Sequence, residues 1–199
     1  MKYTKLSHLF AATLIAASAA VAAAQTTNWK IDPAHSQAAF TIRHMGISNV
    51  NGRFGNISGT ISLNDKDLIR SGVDATIDTT TVDTGVAQRD GHLKSPDFFD
   101  CAKYPDMTFA SKILTRSGDD YAITGDLTIH GVTRRVVLKL DAPAKEQLGP
   151  DNKLHRGFSA STTIRRQDFG LVWAGTLKSG DAMVGEDAKI TLDIEAVKE

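Results

Sequence analysis

The stretch GDLTIHGVTR (residues 125–134) decides the fold class of this chain. Leu127 and Ile129 alternate with polar residues, so one face of this segment is apolar and the other is polar. A period of two is typical of a strand in an antiparallel sheet, and Gly131 allows a tight turn into a second strand, residues 135–140. The stretch therefore predicts a β-hairpin with one face against a hydrophobic core.

Short alternating segments of the same kind recur along the chain between turns rich in Gly, Asp and Asn. They occupy residues 40–44, 57–63, 73–77, 107–113, 121–129, 136–140, 158–162 and 190–196. About eight short strands at this spacing predict an all-β sandwich or barrel rather than a βαβ fold. Two segments break the pattern. Residues 45–50 are predicted to make one helical turn, and residues 86–94 a short helix across one end of the barrel, with Thr84 as its N-cap.

The N-terminal segment has the pattern of a secretory signal. Lys2 and Lys5 precede an uncharged run, residues 9–24, which ends in three alanines. This pattern predicts a signal peptide over residues 1–24 and an exported, periplasmic domain over residues 25–199. An uncleaved membrane anchor is the alternative. No later segment is apolar enough to cross a bilayer, so no transmembrane segment is expected after signal removal.

The composition limits the classes of partner. The chain carries 23 basic and 23 acidic residues, and removal of Lys2 and Lys5 leaves a slightly acidic domain. Nucleic acid and purely electrostatic membrane binding both need a basic surface, so neither is expected. Cys101 is the single cysteine, so an internal disulfide is excluded. It is interpreted as a small hydrophobic residue, with pairing between two chains as the alternative.

Three further motifs accompany the hairpin: WKIDPAHS (29–36), RDGHLKSPDFFD (89–100) and RQDFGL (166–171). With these four motifs in this order, the chain resembles the YceI family from Trp29 to its C-terminus. The resemblance implies a lipocalin-like antiparallel β-barrel of about eight strands. It also implies that an apolar cavity holds a long-chain isoprenoid, either a polyprenyl lipid or the tail of a quinone. Members of the family often pair, so a homodimer is one expectation.

The predicted ligand-binding residues are apolar side chains for the cavity wall and histidines for its rim. The wall set is Phe40, Ile42, Phe54, Phe99, Phe109, Leu127 and Trp173. The rim set is His44, His92 and His130, all of which match the family's motifs. Small inward residues such as Gly59, Ala75 and Gly125 fit two interpretations. They either leave room for a ligand or mark bends in a filled barrel.

The sequence predicts no catalytic residue, no metal site and no cofactor. Its histidines lack the spacing of metal ligands, and no C-x-x-C or G-x-S-x-G motif occurs. His35 and Ser36 are neighbours in an extended segment and point to opposite faces, so His35 does not activate Ser36. The main alternative is an exported enzyme that acts on an apolar substrate with His44 or His130 as its base. A stress-related interaction protein with a filled barrel is a third hypothesis.

Charged pairs raise a further question about the head group of a ligand. Arg89-Asp90 and the segment 166–168 fit either a polar gate for that head group or a structural ion-pair network. Arg135 and Arg165 depart from the family pattern, which has proline at the first position and an acidic or small residue at the second. Both changes add positive charge, and we hypothesise that they favour an anionic head group.

Overall fold

A computed structural model describes residues 26–199, which form eleven strands and one α-helix. The predicted signal peptide lies outside the described residues. In chain order the elements are β1 (Thr27–Ile31), β2 (Gln37–His44), β3 (Ser48–Phe54), β4 (Ile57–Leu63), β5 (Gly72–Asp78), α1 (Ala87–Lys94), β6 (Asp106–Ser117), β7 (Asp120–Ile129), β8 (Val132–Leu140), β9 (Gln147–Leu148), β10 (Leu154–Arg165) and β11 (Val184–Lys198).

Eight of these strands close into an antiparallel barrel. Around the barrel the order is β11, β1, β4, β5, β6, β7, β8 and β10, and β10 pairs again with β11. Closure leaves no free edge among these eight strands and gives the sheet an inside and an outside. The predicted fold class, a lipocalin-like barrel of about eight strands with one short helix, is confirmed.

Strand β11, which closes the barrel, is long enough to pair with two different strands along the same edge. Its last residues pair with β1, while its first part pairs with β2 from Val184 to Asp193. Strand β3 then pairs with β2 as a hairpin. The β2–β3 hairpin therefore extends the barrel wall beyond the closed ring, and its apolar residues join the barrel interior.

The hairpin 125–134 forms as the alternation predicts. Strands β7 and β8 pair from Tyr121 opposite Leu140 to Ile129 opposite Val132. The two turn residues, His130 and Gly131, both have positive φ, at 51° and 73°. Two successive residues with positive φ are characteristic of a two-residue turn whose twist matches that of the flanking strands.

Two local predictions were wrong. Residues 45–47 form a turn without helix, and residues 48–54 continue as strand β3 because they pair with β2 along their whole length. Helix α1 exists as predicted, but its N-cap position is Val86 rather than Thr84. The backbone N–H and the hydroxyl of Thr84 instead donate hydrogen bonds to the Asp90 carboxylate, at 2.9 and 2.5 Å.

Bulky apolar side chains fill the part of the interior next to the cavity. Trp29 is completely buried, and its ring lies beneath the guanidinium of Arg156 and the ammonium of Lys198, at 5.6 and 5.5 Å from the ring centroid. Cys101 is a buried free thiol that packs as a small hydrophobic residue. No helix within residues 26–199 is long and apolar enough to span a membrane.

Candidate ligand-binding cavity

The barrel encloses a cavity of about 460 Å³. All eight strands of the closed ring contribute side chains to it, together with β2, β3 and α1. Apolar residues make up most of the lining, and the volume falls in the range of about 300–1,000 Å³ that is common for small-molecule sites. The barrel is therefore hollow, and the hypothesis of a completely filled barrel does not fit it.

Nine of the ten predicted ligand-binding residues line this cavity. They are Phe40, Ile42, His44, Phe54, His92, Phe99, Phe109, Leu127 and Trp173. The phenyl rings of Phe40, Phe54 and Phe99 form a continuous series, with centroids 5.6 and 5.2 Å apart. Whether these residues contact a ligand stays a prediction.

His130 is the tenth residue, and it does not line the cavity. It occupies the tight turn between β7 and β8, where its imidazole packs against the ring of Tyr104 with centroids 4.6 Å apart. Its Nδ1 atom also lies close to Gly170. His130 therefore packs against a neighbouring loop rather than lining the cavity, and its predicted contact with a head group stays a prediction.

Two inward glycines make room for aromatic rings of the wall rather than for the ligand. A Cβ atom built on Gly125 would lie 2.3 Å from the ring of Phe109, and one built on Gly52 would lie 2.3 Å from the ring of Phe40. Each glycine thus provides space for an aromatic ring of the wall. Gly59 has a φ of +142° and approaches the carbonyl oxygen of Asp74, which fits a local bend of the strand.

An aromatic cluster lies where α1 meets the cavity. His92, on α1, contacts Phe98 and Trp173 edge-to-face, with ring centroids 5.0 and 5.1 Å apart. The Nε2 atom of His92 is 2.8 Å from a carboxylate oxygen of Asp97, which fixes the orientation of the imidazole. His92 therefore lines the cavity with its imidazole held by a carboxylate, and its contact with a head group stays a prediction.

Two arginines that line the cavity have no carboxylate partner within hydrogen-bond distance among the described residues. Arg89, on α1, donates to the hydroxyl and the carbonyl oxygen of Thr84, at 2.7 and 3.0 Å. Arg166 is only 4% exposed and donates to the carbonyl oxygens of Leu171, Val184 and Gly185.

Both arginines line the cavity. Burial lowers the pKa of Arg166 from its usual value, but a guanidinium keeps its charge at neutral pH. Among the described residues, Arg89 and Arg166 form no salt bridge, so they do not belong to an ion-pair network; the other interpretation, a polar gate for a head group, stays a prediction. Instead, two positive charges held by neutral oxygens lie beside an apolar cavity.

The arginines that the sequence singled out lie elsewhere. Arg135 is bonded to Asp126 at 2.8 Å, and Arg165 to Glu186 at 2.7 Å, with both pairs exposed. Arg135 holds the pKa of the Asp126 carboxyl below its usual value. Neither arginine lines the cavity, so the structure gives no support to the hypothesis that they select an anionic head group. In the sequence, Arg89 and Arg166 stand out only as members of charge pairs.

The Asp32–His35–Ser36 segment does not form a catalytic triad. The carboxylate of Asp32 lies 2.7 Å from Nδ1 of His35 and also accepts the backbone N–H of Ala34, as in the turn predicted there. Asp32 raises the pKa of His35, and His35 lowers the pKa of Asp32. The Ser36 hydroxyl bonds to the backbone of Glu195 rather than to His35, so it is not activated as a nucleophile.

Known proteins share both the sequence and the fold. A model of the YceI-like domain matches residues 29–196. Protein YceI of Escherichia coli O17:K52:H18 is 35% identical over 201 residues, which cover all of both chains. A crystal structure of the Campylobacter jejuni YCEI protein is 32% identical with a TM-score of 0.65, covering 79% of this chain and 90% of that one.

A polyisoprenoid binding domain from Saccharophagus degradans has the same fold at 17% identity, with a TM-score of 0.62 and coverage of 86% of this chain and 98% of that domain. The full-length match to a relative and the domain model agree with the four motifs and the closed barrel. The chain therefore belongs to the YceI family.

Proposed function

We propose that this protein binds a long-chain isoprenoid, a polyprenyl lipid or an isoprenoid quinone, in the barrel cavity. The observation that carries the proposal is the cavity itself, which is enclosed by the barrel wall and lined by aromatic and aliphatic side chains. A structural neighbour from Saccharophagus degradans is described as a polyisoprenoid binding domain, and its shared fold supports the same class of ligand here.

The hydrophobic effect is large enough to hold an isoprenoid tail in the cavity. An isoprenoid tail that buries roughly 600 Å² would gain on the order of 15 kcal/mol, at about 25 cal/mol per Å². Loss of translational freedom and ordering of the flexible tail offset much of this gain. Apolar contacts are not directional, so the length and cross-section of the tail set selectivity, and polar groups orient the head group.

The polar groups near α1 favour a head group that accepts hydrogen bonds. Arg89 and Arg166 have no carboxylate partner within the described part of the chain, and His92 lies on the same helix as Arg89. A guanidinium binds phosphate and carboxylate oxygens well. We expect the head group at this end and the tail among the phenyl rings of β2, β3 and β6.

The protein is proposed to act after export. The signal-like residues 1–24 support a periplasmic location, where an isoprenoid must be shielded from water. Sequestration and carriage between membranes are both consistent with an enclosed cavity. Family membership and fold favour a binding protein over an enzyme, and the alternative enzyme would have to use His44, since His130 lies outside the cavity.

The first experiment is native mass spectrometry of the protein purified gently from the periplasm, followed by organic extraction. A discrete added mass that extracts as a polyprenyl or quinone species is the expected result. A clean mass without ligand, from cells that make isoprenoids, would overturn the proposal.

A matched pair of variants on β6 tests the assigned lining. Phe109→Glu places a charge in the cavity and should abolish lipid retention, because an unpaired buried charge opposes binding of an apolar tail. Ile113→Glu is the control, since Ile113 lies on the same strand and is 57% exposed. If a folded Phe109→Glu variant retained its lipid, the assigned lining would be wrong.

A further inference from the structure

A cluster of histidine and carboxylate side chains lies outside the cavity, where the β1–β2 turn meets β11. One ligand atom each from Asp32, His35 and Glu195 lies within 4.8 Å of the other two. These atoms are two carboxylate oxygens and one imidazole nitrogen. The lipid-binding function uses none of the three, because they do not line the cavity.

The geometry is close to that of a metal site. Zinc binds imidazole nitrogen and carboxylate oxygen at about 2.0–2.2 Å, so two ligands of one tetrahedral ion lie roughly 3.4 Å apart. The cluster atoms lie within 4.8 Å of one another, so side-chain rotations that move them by roughly an ångström would bring all three onto one ion. His35 is 65% exposed, so a metal ion can reach the cluster from solvent, and water can complete its coordination.

The backbone holds the three ligands together independently of their side chains. The N–H of Asp32 donates to the carbonyl oxygen of Glu195 at 2.8 Å. The hydroxyl of Ser36 bonds to both the carbonyl oxygen and the N–H of the same residue, at 3.2 and 3.1 Å. The turn and the strand are thus joined by three hydrogen bonds, which fixes the distance between the ligand-bearing residues.

A second layer orients the Glu195 carboxylate. Nδ1 of His155 lies 2.8 Å from a carboxylate oxygen of Glu195, and Nε2 of the same ring lies 2.9 Å from Asp151. A histidine held between two carboxylates resembles the hydrogen-bonded outer shell that positions metal ligands in proteins. The contact with His155 thus limits the positions that the Glu195 carboxylate can take beside Asp32 and His35.

We propose that Asp32, His35 and Glu195 form a binding site for a divalent transition metal ion of the zinc type, with His155 as a positioning residue. One nitrogen and two oxygen ligands suit Zn²⁺ and its neighbours better than Ca²⁺, which prefers oxygen alone. The ion would join the β1–β2 turn to β11, beside the seam where β1 closes the barrel. It would therefore stabilise closure without touching the lipid.

The test is isothermal titration of the metal-free protein with Zn²⁺ alone, together with thermal melting in the presence and absence of the ion. We expect saturable binding of about one ion per chain and a rise in melting temperature. His35→Gln should weaken binding at least about tenfold and remove the rise, because glutamine can keep the hydrogen bond to Asp32 but is a poor zinc ligand. His155→Gln should weaken binding less than His35→Gln does.

His130→Asn is the matched control, because His130 lies outside both the cluster and the cavity and asparagine tolerates its positive φ. This variant should bind Zn²⁺ as the parent does. Absence of saturable binding, or equal binding by His35→Gln and the parent, would overturn the proposal. The lipid content of each variant is unaffected under either outcome, so this test is independent of the proposed function.

Discussion

The inner and outer faces of the barrel wall hold arginines in different ways. On the outer face, Arg165 forms an exposed ion pair with Glu186. Its neighbour Arg166 turns inward, is almost fully buried and donates only to backbone carbonyl oxygens. Arg89 approaches the same region from α1, also held by neutral oxygens.

The difference shows which positive charges are available to a ligand. A carboxylate beside an arginine largely cancels its field, whereas a carbonyl oxygen orients a guanidinium and leaves its net charge in place. The outer pairs therefore contribute little to binding an anion, and the inner arginines retain the charge that a head group would use. Three predictions test this distinction and a fourth compares two glycines, in order of expected effect.

The adjacent residues Arg165 and Arg166 give the largest contrast. Arg166→Met should lower the free energy of unfolding by about 3 kcal/mol or more, because three carbonyl oxygens lose a buried donor. Arg165→Met should change it by only about 0–1 kcal/mol, as exposed ion pairs do. Urea denaturation of both variants measures the difference. Similar losses for the two variants would show that burial does not distinguish these neighbours.

A glycine of the barrel wall and a glycine of α1 should also respond differently to substitution by alanine. Gly125→Ala places a Cβ atom 2.3 Å from the ring of Phe109 and 2.7 Å from the carbonyl oxygen of Ala110, so we expect destabilisation of about 1–3 kcal/mol. The displaced ring should also reduce the amount of lipid that copurifies.

Gly91→Ala, in α1, is the comparison for the glycine prediction. A Cβ atom there meets nothing within 4 Å, so alanine should stabilise the helix by about 0.5–1 kcal/mol. Thermal melting and lipid extraction measure both effects. Retention of full stability by Gly125→Ala would contradict the tight contact with Phe109.

The choice of head group tests the charge argument directly. Arg89→Gln should weaken binding of a polyprenyl phosphate about tenfold, or about 1.4 kcal/mol, while binding of the uncharged polyprenol changes little. Arg135→Gln should leave both affinities unchanged, because Arg135 lies outside the cavity and is paired with Asp126. Competition measured by native mass spectrometry gives the ratios. An equal loss for both lipids would mean that Arg89 acts on the tail or on the fold.

Loss of the outer pair Arg135–Asp126 should have the smallest effect on stability. The effect is identified by the pH dependence of the melting temperature. Arg135 lowers the pKa of Asp126, so this pair stabilises the fold while the carboxylate is ionised and stops doing so as the pH falls through the lowered pKa. The melting temperature of the parent should exceed that of Arg135→Gln by a small, constant amount from pH 7 to about pH 5, and the gap should close below about pH 4. A difference in melting temperature that became larger as the pH fell would contradict this prediction.

Much of the barrel could be predicted because its strands expose one face and bury the other. The alternation around Leu127 and Ile129 predicted β7, and Gly131 predicted the turn. Strand β3 was missed because residues 48–54 are mostly exposed polar residues and glycine, and only their pairing with β2 makes them a strand. The local sequence pattern of residues 48–54 does not indicate that β2 lies beside them.

The alternating strands, the tight turn at His130 and Gly131, and the aromatic residues that line the cavity could all be predicted from the amino-acid pattern. Tertiary structure alone decided which charges face the ligand and which polar groups meet. Alternation gives the two faces of a strand, but the partner of an arginine depends on strands and loops distant in sequence. Arg165 and Arg166 differ by one position, and the folded wall gives one a carboxylate in solvent and the other three buried carbonyl oxygens.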